Sequence, residues 1–117
     1  MSAEPKALAA AYFEAWQTAD VQRLRSILAD DVSFRGPLAQ VDGADEYADS
    51  IRGLFQATEK VVVRKVWVEG HDVLTWFDLH MPGAPATAVA QWCHVEDGKV
   101  KRVEVTFDPR GILAAAS

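Results

Sequence analysis

The sequence predicts an α+β fold: a curved antiparallel sheet wrapped around three helices from the first half of the chain, with a pocket between the layers. Two helix-period segments precede the stretch Ile27 to Pro37, ILADDVSFRGP, and a third follows it. Four β-rich runs then fill the second half, so that helices and strands are segregated rather than alternating. At 117 residues this is a single domain, 1–117, long enough to bury a core without disulfides or metal.

Leu8, Ala11, Tyr12, Ala15, Trp16 and Ala19 recur at i, i+3, i+4 spacing, which gives the first helix one buried face, with Ser2 as N-cap and Pro5 in its first turn. Asp20 caps a second, short helix carrying Val21, Leu24, Ile27 and Leu28. Asp30-Asp31 then releases the chain into Val32-Ser33-Phe34, a short strand that Gly36-Pro37 ends. A third helix starts near Asp42-Gly43, with Tyr47, Ile51, Leu54 and Phe55 on one face. The β-rich runs cover 60–69, 72–80, 86–96 and 99–107, and an alanine-rich tail follows Asp108-Pro109.

A net charge of −5 gives no basic footprint for nucleic acid. No apolar run is long enough to span a bilayer, and no basic segment leads into a signal sequence. Cys93, the one cysteine, has no partner for an internal disulfide. The expectation is a reducing, cytoplasmic setting, with neither nucleic acid nor membrane as partner. His71 and His94 read as surface residues near turns. With His80 they are scattered without a carboxylate at ligand spacing, so no metal is expected. No glycine-rich phosphate loop or dinucleotide fingerprint occurs, and no cofactor is implied.

In a strand pair, directly opposed residues share a face. Asp97-Gly98 is a two-residue turn signal, which sets Glu96 opposite Lys99, Trp92 opposite Val103 and Ala90 opposite Val105. A five-residue connection from Met81 to Pro85 sets His80 opposite Ala86, Asp78 opposite Ala88 and Trp76 opposite Ala90. One face then holds Trp76, Asp78, His80, Ala88, Ala90, Trp92, His94, Val103, Val105 and Phe107, and a Gly70-His71 turn adds Val61, Val63, Lys65 and Trp67. A single bulge inverts every residue beyond it. The opposite face, from Val62 and Thr75 through Phe77, Leu79, Val89, Gln91, Cys93 and Val95 to Arg102 and Thr106, mixes apolar bulk with scattered polar groups, as a subunit interface does. A homodimer through that outer sheet face is expected.

Asp78 and His80 are the candidate catalytic pair on the pocket face. A carboxylate in an apolar cavity has its charged form disfavoured, which suits it to take a proton near neutral pH, and a neighbouring imidazole can return one. The candidate ligand contacts are Trp16, Phe34, Phe55, Lys65, Trp76, Trp92, Val105 and Phe107, and small Ala86, Ala88 and Ala90 leave room. A competing reading pairs Asp78 with Lys65, or shifts WFDLH by one so that Asp78 and His80 stand on the outer sheet. The first reading makes the chain an isomerase, cyclase or hydrolase acting on a small hydrophobic or carbonyl-bearing molecule. The second makes it a non-catalytic dimeric domain that binds a hydrophobic metabolite or a protein partner.

The segments AAYFEAW, ILADDVSFRGP, VEDGKV and VTFDPRGIL, together with the third helix, resemble the nuclear-transport-factor-two-like superfamily, and most closely its small SnoaL-like members. The resemblance covers nearly the whole chain. It implies a cone-shaped, cystatin-like α+β roll around a hydrophobic pocket, commonly dimeric through the sheet. The superfamily includes ketosteroid isomerases, limonene epoxide hydrolases, polyketide cyclases and non-catalytic binding domains, so the fold does not select a function. Tyr12 matches the oxyanion-hole tyrosine of the ketosteroid isomerases, which completes the candidate catalytic set. Their general base is replaced here by Gly36, and their second oxyanion acid by Ala90, or by Gln91 in the shifted register. Of the epoxide hydrolases' Asp-Arg-Asp set, Asp78 lies near the first acid, Val105 stands at the last, and the arginine is not evident.

Overall fold

The computed structural model of the chain describes residues 4–111 and 113. Helix α1 spans Pro5–Gln17, with Pro5 at its start, where a missing N–H costs nothing. Its N-cap is Glu4, whose side chain makes no capping bond, and the Ser2 expected there lies outside the described residues, as does most of the alanine-rich tail. The helix buries Leu8, Tyr12, Ala15 and Trp16 as expected, together with Ala9 and Phe13. It ends before Ala19, which takes a left-handed φ of 53°. Helix α2, Val21–Ile27, is capped by Asp20, whose carboxylate accepts the Arg23 N–H at 3.0 Å.

Strand β1, Leu28–Arg35, is longer than the expected Val32–Phe34, and it pairs with a short β2, Gln40–Asp42, that the sequence did not signal. Helix α3, Ala44–Ala57, follows Gly43, whose φ of 96° lets the chain turn sharply into the helix. Four strands complete the fold: β3, Lys60–Glu69, β4, Asp72–His80, β5, Thr87–Glu96, and β6, Lys99–Phe107.

The sheet order is β2-β1-β6-β5-β4-β3. β1 runs parallel to β6, and every other neighbouring pair is antiparallel. The sheet is therefore mixed rather than wholly antiparallel. A tight hairpin forces opposite directions, whereas β1 and β6 are joined through five intervening elements and escape that constraint.

Register explains where the face assignment changes. Trp76 lies opposite Ala90 and Asp78 opposite Ala88, as expected, and Glu96 lies opposite Lys99 across the Asp97-Gly98 turn. A bulge then sets Val95 opposite Val100 but His94 opposite Arg102, so Cys93 rather than Trp92 faces Val103, and Gln91 rather than Ala90 faces Val105. A second bulge, between Val63 and Lys65, pairs Lys65 with Trp76 but Val63 with Phe77. The face expected to line the pocket is thereby divided. Val61, Val63, Val103, Val105 and Phe107 share the helix side, while Lys65, Trp76, Asp78, His80, Trp92 and His94 share the outer side.

Burial follows the chemistry of the two sets. Val73, Thr75, Phe77 and Leu79 of β4, and Val89, Gln91, Cys93 and Val95 of β5, are all buried. All of these except Val73 were expected at a dimer interface, and they are buried inside the fold instead. The alternative would have buried Asp78 and His80, and desolvating a carboxylate costs far more than desolvating Phe77 gains. Trp16, Phe55, Phe13 and Phe77 form the centre of the core: the Trp16 ring stacks on Phe55 with centroids 5.5 Å apart, and Phe77 meets Phe13 edge-on at 4.9 Å. No helix among the described residues is long and apolar enough to cross a membrane.

Candidate functional site

Between the helices and the concave side of the sheet lies a cavity of about 140 Å³. Tyr12 and Trp16 of α1 and Ile51 and Leu54 of α3 form one wall. Phe77 and Leu79 of β4, Val89 and Gln91 of β5, and Val105 and Phe107 of β6 form the other, and Phe34 with the Gly36–Ala39 turn closes the end. Gly36 fits there because a Cβ would come within 3.2 Å of the Phe34 ring.

The cavity is the size of those that hold a benzene ring in other cores, where about 150 Å³ suffices. Its lining contains no carboxylate, histidine, lysine or arginine. Gln91, 2% exposed, brings an amide to it, and this amide reaches Cys93 Sγ at 3.7 Å. Among the described residues no other hydrogen bond holds the Gln91 side chain. The Tyr12 hydroxyl is bonded to the Tyr47 hydroxyl at 2.5 Å, and the Trp16 indole N–H donates to Thr58 Oγ1 at 2.9 Å. Burial pushes the Tyr12 and Tyr47 phenols above their ordinary range, and pushes the Cys93 thiol up to about 12. None of the three exchanges a proton readily near neutral pH.

Of the expected site residues, Tyr12, Trp16, Phe34, Val105 and Phe107 come together around this cavity. Phe55 is buried behind Trp16 rather than in the lining. Asp78, His80, Lys65, Trp76 and Trp92 do not join them, because all five stand on the outer side of the sheet. There Arg64 lies 3.5 Å from Asp78, while Lys65, the partner expected for Asp78, lies over the Trp67 ring at 5.6 Å. Sequence reasoning missed Ile51, Leu54, Phe77, Leu79, Val89 and Gln91 as lining residues. Gln91 was within reach: it is the one amide side chain in the 86–96 β-rich run, and a register shift of one brings it inward.

A second polar cluster occupies the outer face. His94 Nδ1 lies 2.7 Å from Asp72 Oδ1 and Nε2 lies 3.2 Å from Glu96 Oε1, while Trp92 Nε1–H donates to the same Asp72 oxygen at 2.9 Å. The bond to His94, aided by Trp92, lowers the Asp72 pKa, and Asp72 raises that of His94. A wider surface groove, about 770 Å³, runs beside the α2–β1 junction and the β5–β6 turn. Its charges are largely paired with one another, Arg25 with Asp30 and Lys101 with Asp31.

The chain is similar to several solved structures. An NTF2-like protein of unknown function from Cytophaga hutchinsonii shares 26% identity, with 97% of each chain covered and a TM-score of 0.85. A steroid delta-isomerase from Pseudomonas aeruginosa shares 20% identity over 99% of this chain and 88% of the other, with a TM-score of 0.81. An LEH-like epoxide hydrolase from M. tuberculosis shares 19% over 95% and 87%, with a TM-score of 0.79. The last two likenesses concern the fold alone. No curated protein sequence matches the chain. The model of the SnoaL-like domain matches residues 9–103, across α1 to β6, and the chain belongs to this family.

Proposed function

We propose that this protein binds one small, mostly apolar molecule, about the size of a single substituted ring, inside the cone. A polar group of the ligand, such as a carbonyl or hydroxyl, meets the Gln91 amide. The observation that carries this reading is the cavity lining: apolar side chains surround a single amide that has one weak sulfur contact. Such an amide offers both a donor and an acceptor, so it orients a ligand without exchanging a proton with it.

The same lining weighs against acid/base turnover inside the cavity. Gly36 and Val105 stand where the resemblance places catalytic acids in steroid isomerases and epoxide hydrolases, and Gln91 replaces a third. Binding without catalysis is therefore the favoured reading of the pocket.

Calorimetry with acetophenone and its isostere α-methylstyrene tests this. Wild type should bind acetophenone about tenfold more tightly, the worth of one buried hydrogen bond. Gln91→Leu should erase the preference, and Val89→Phe, which fills the cavity, should abolish binding of both. Equal affinity of wild type for the two, or binding unaffected by Val89→Phe, would overturn the reading.

A further inference from the structure

We propose that Leu38, at the rim of the cavity, selects an elongated ligand whose polar group enters first and whose apolar tail leaves opposite it, across the tip of the β1–β2 hairpin. This rests on the reading of the cavity as a binding pocket and adds the shape and direction of the ligand to it.

Strand register gives the cavity a direction. Along β5 the lining reaches inward as far as Gln91, level with Thr75 of β4 and Val105 of β6. One pair further out Val89 lies between Phe77 and Phe107, and beyond it Leu79 lies opposite Thr87. From the level of Gln91 to that of Leu79 is about 13 Å of strand. α3 runs the same way: the Gly43 N–H before it donates to the Val32 carbonyl, and the Glu59 N–H beyond it donates to the His80 carbonyl, so Ile51 stands inward of Leu54. The amide therefore marks the inner end. Exposure rises in the outward direction, from no more than 2% at Tyr12, Phe77 and Gln91, through half-buried Leu54 and Phe107, to 48% at Leu38.

The rim is built to stay in place. Arg35 pairs with Gln40, and the Gly36 N–H donates to the Ala39 carbonyl at 2.9 Å, which leaves Pro37 and Leu38 at the tip of a tight hairpin. The fixed φ of Pro37 stiffens that tip. A ring with its polar group at Gln91 fills the enclosed volume, so a substituent on its far side emerges over Leu38, Leu54 and Phe107, none of which brings a polar side-chain atom. A hydrocarbon tail gains contact there, whereas a charged one loses water for nothing. A substituent beside the polar group meets Tyr12 and Phe77 instead, both 0% exposed, and finds no way out.

Calorimetry with para-alkylacetophenones, from methyl to butyl, and with their ortho isomers tests the proposal. Affinity should rise about twofold per para methylene, less than the roughly fourfold of complete burial because the rim is only partly covered. 2-Butylacetophenone should bind at least tenfold more weakly than 4-butylacetophenone, although the two contain the same atoms. Leu38→Ser, at an exposed position, should stay folded by circular dichroism and flatten the rise, whereas Val63→Ser, 40% exposed on β3 and outside the cavity, should keep it. Gln91→Leu should lower the affinity of every para compound by the same factor, since the head stays in place as the tail grows. Para tails that bring no gain, a rise that survives Leu38→Ser, an ortho isomer as tight as its para counterpart, or a Gln91→Leu loss confined to the shortest compounds would overturn the proposal while acetophenone binding, and with it the reading of the pocket, still stood. Failure of acetophenone itself to bind would overturn both.

Discussion

The hydroxyls of Tyr12 on α1 and Tyr47 on α3 meet at 2.5 Å inside the core, with neither residue more than 1% exposed. The bond ties two helices that the chain separates by α2 and the β1–β2 hairpin. Removing one hydroxyl leaves the other buried without its partner. Tyr12→Phe or Tyr47→Phe should each cost about 1–3 kcal/mol, while the double variant should lose little more than one of them. Urea denaturation of the four proteins measures the coupling, and strictly additive losses would contradict it.

Alkaline behaviour follows from the same pair. These are the only two tyrosines, and burial raises both phenols above their ordinary value. In the unfolded chain they ionise near pH 10, so stability is intact below about pH 10 and falls as pH rises beyond it. Absorbance at 295 nm should show no phenolate step before unfolding, and then one cooperative step coincident with loss of far-ultraviolet ellipticity.

The cluster of His94 with Asp72 and Glu96 should give a weaker, opposite signature. His94 is raised, so its contribution is full below about pH 6.5 and fades as pH climbs through the raised value. Asp72 is lowered, so its contribution is full above about pH 4 and fades in acid. Between these limits the pair contributes most, though solvent screening keeps the effect below about 1 kcal/mol. Nuclear magnetic resonance titration of the His94 ring should give a raised pKa that returns toward the ordinary imidazole value in Asp72→Asn.

Asp78 provides the sharpest contrast with the first expectation from the sequence. It stands on the outer side of the sheet, paired with Arg64. Asp78→Asn should leave ligand affinity within about twofold of wild type and cost less than about 1 kcal/mol of stability, the worth of a partly exposed ion pair. A loss of binding as large as that in Gln91→Leu would return Asp78 to the site.

The fold was legible because its signals are local and redundant. Trp16 and Tyr12 recur at helical spacing, Asp20 caps a helix, and Asp97 and Gly98 take positive φ in their turn. The β4–β5 register also followed from loop length. The faces did not, because each bulge adds one residue without any mark in the sequence, and one at β6 together with one at β3 was enough to divide the expected pocket face. Tyr12, Trp16 and Phe34 were found because helix periodicity and the β1 strand position them independently of those bulges. Gln91 was inverted with its strand. The short β2 carries only Gln40, Val41 and Asp42, too few residues for alternation to register.

The most direct test of the account is an amide correlation spectrum of the uniformly ¹⁵N-labelled chain titrated with acetophenone. The account predicts that the Gln91 side-chain amide and the Trp16 indole N–H shift together with backbone signals of Phe77, Val89 and Val105, while signals of Asp78 and His80 stay in place. Shifts centred on Asp78, His80 and Trp76, with Gln91 unmoved, would contradict it and place the binding site on the outer face of the sheet.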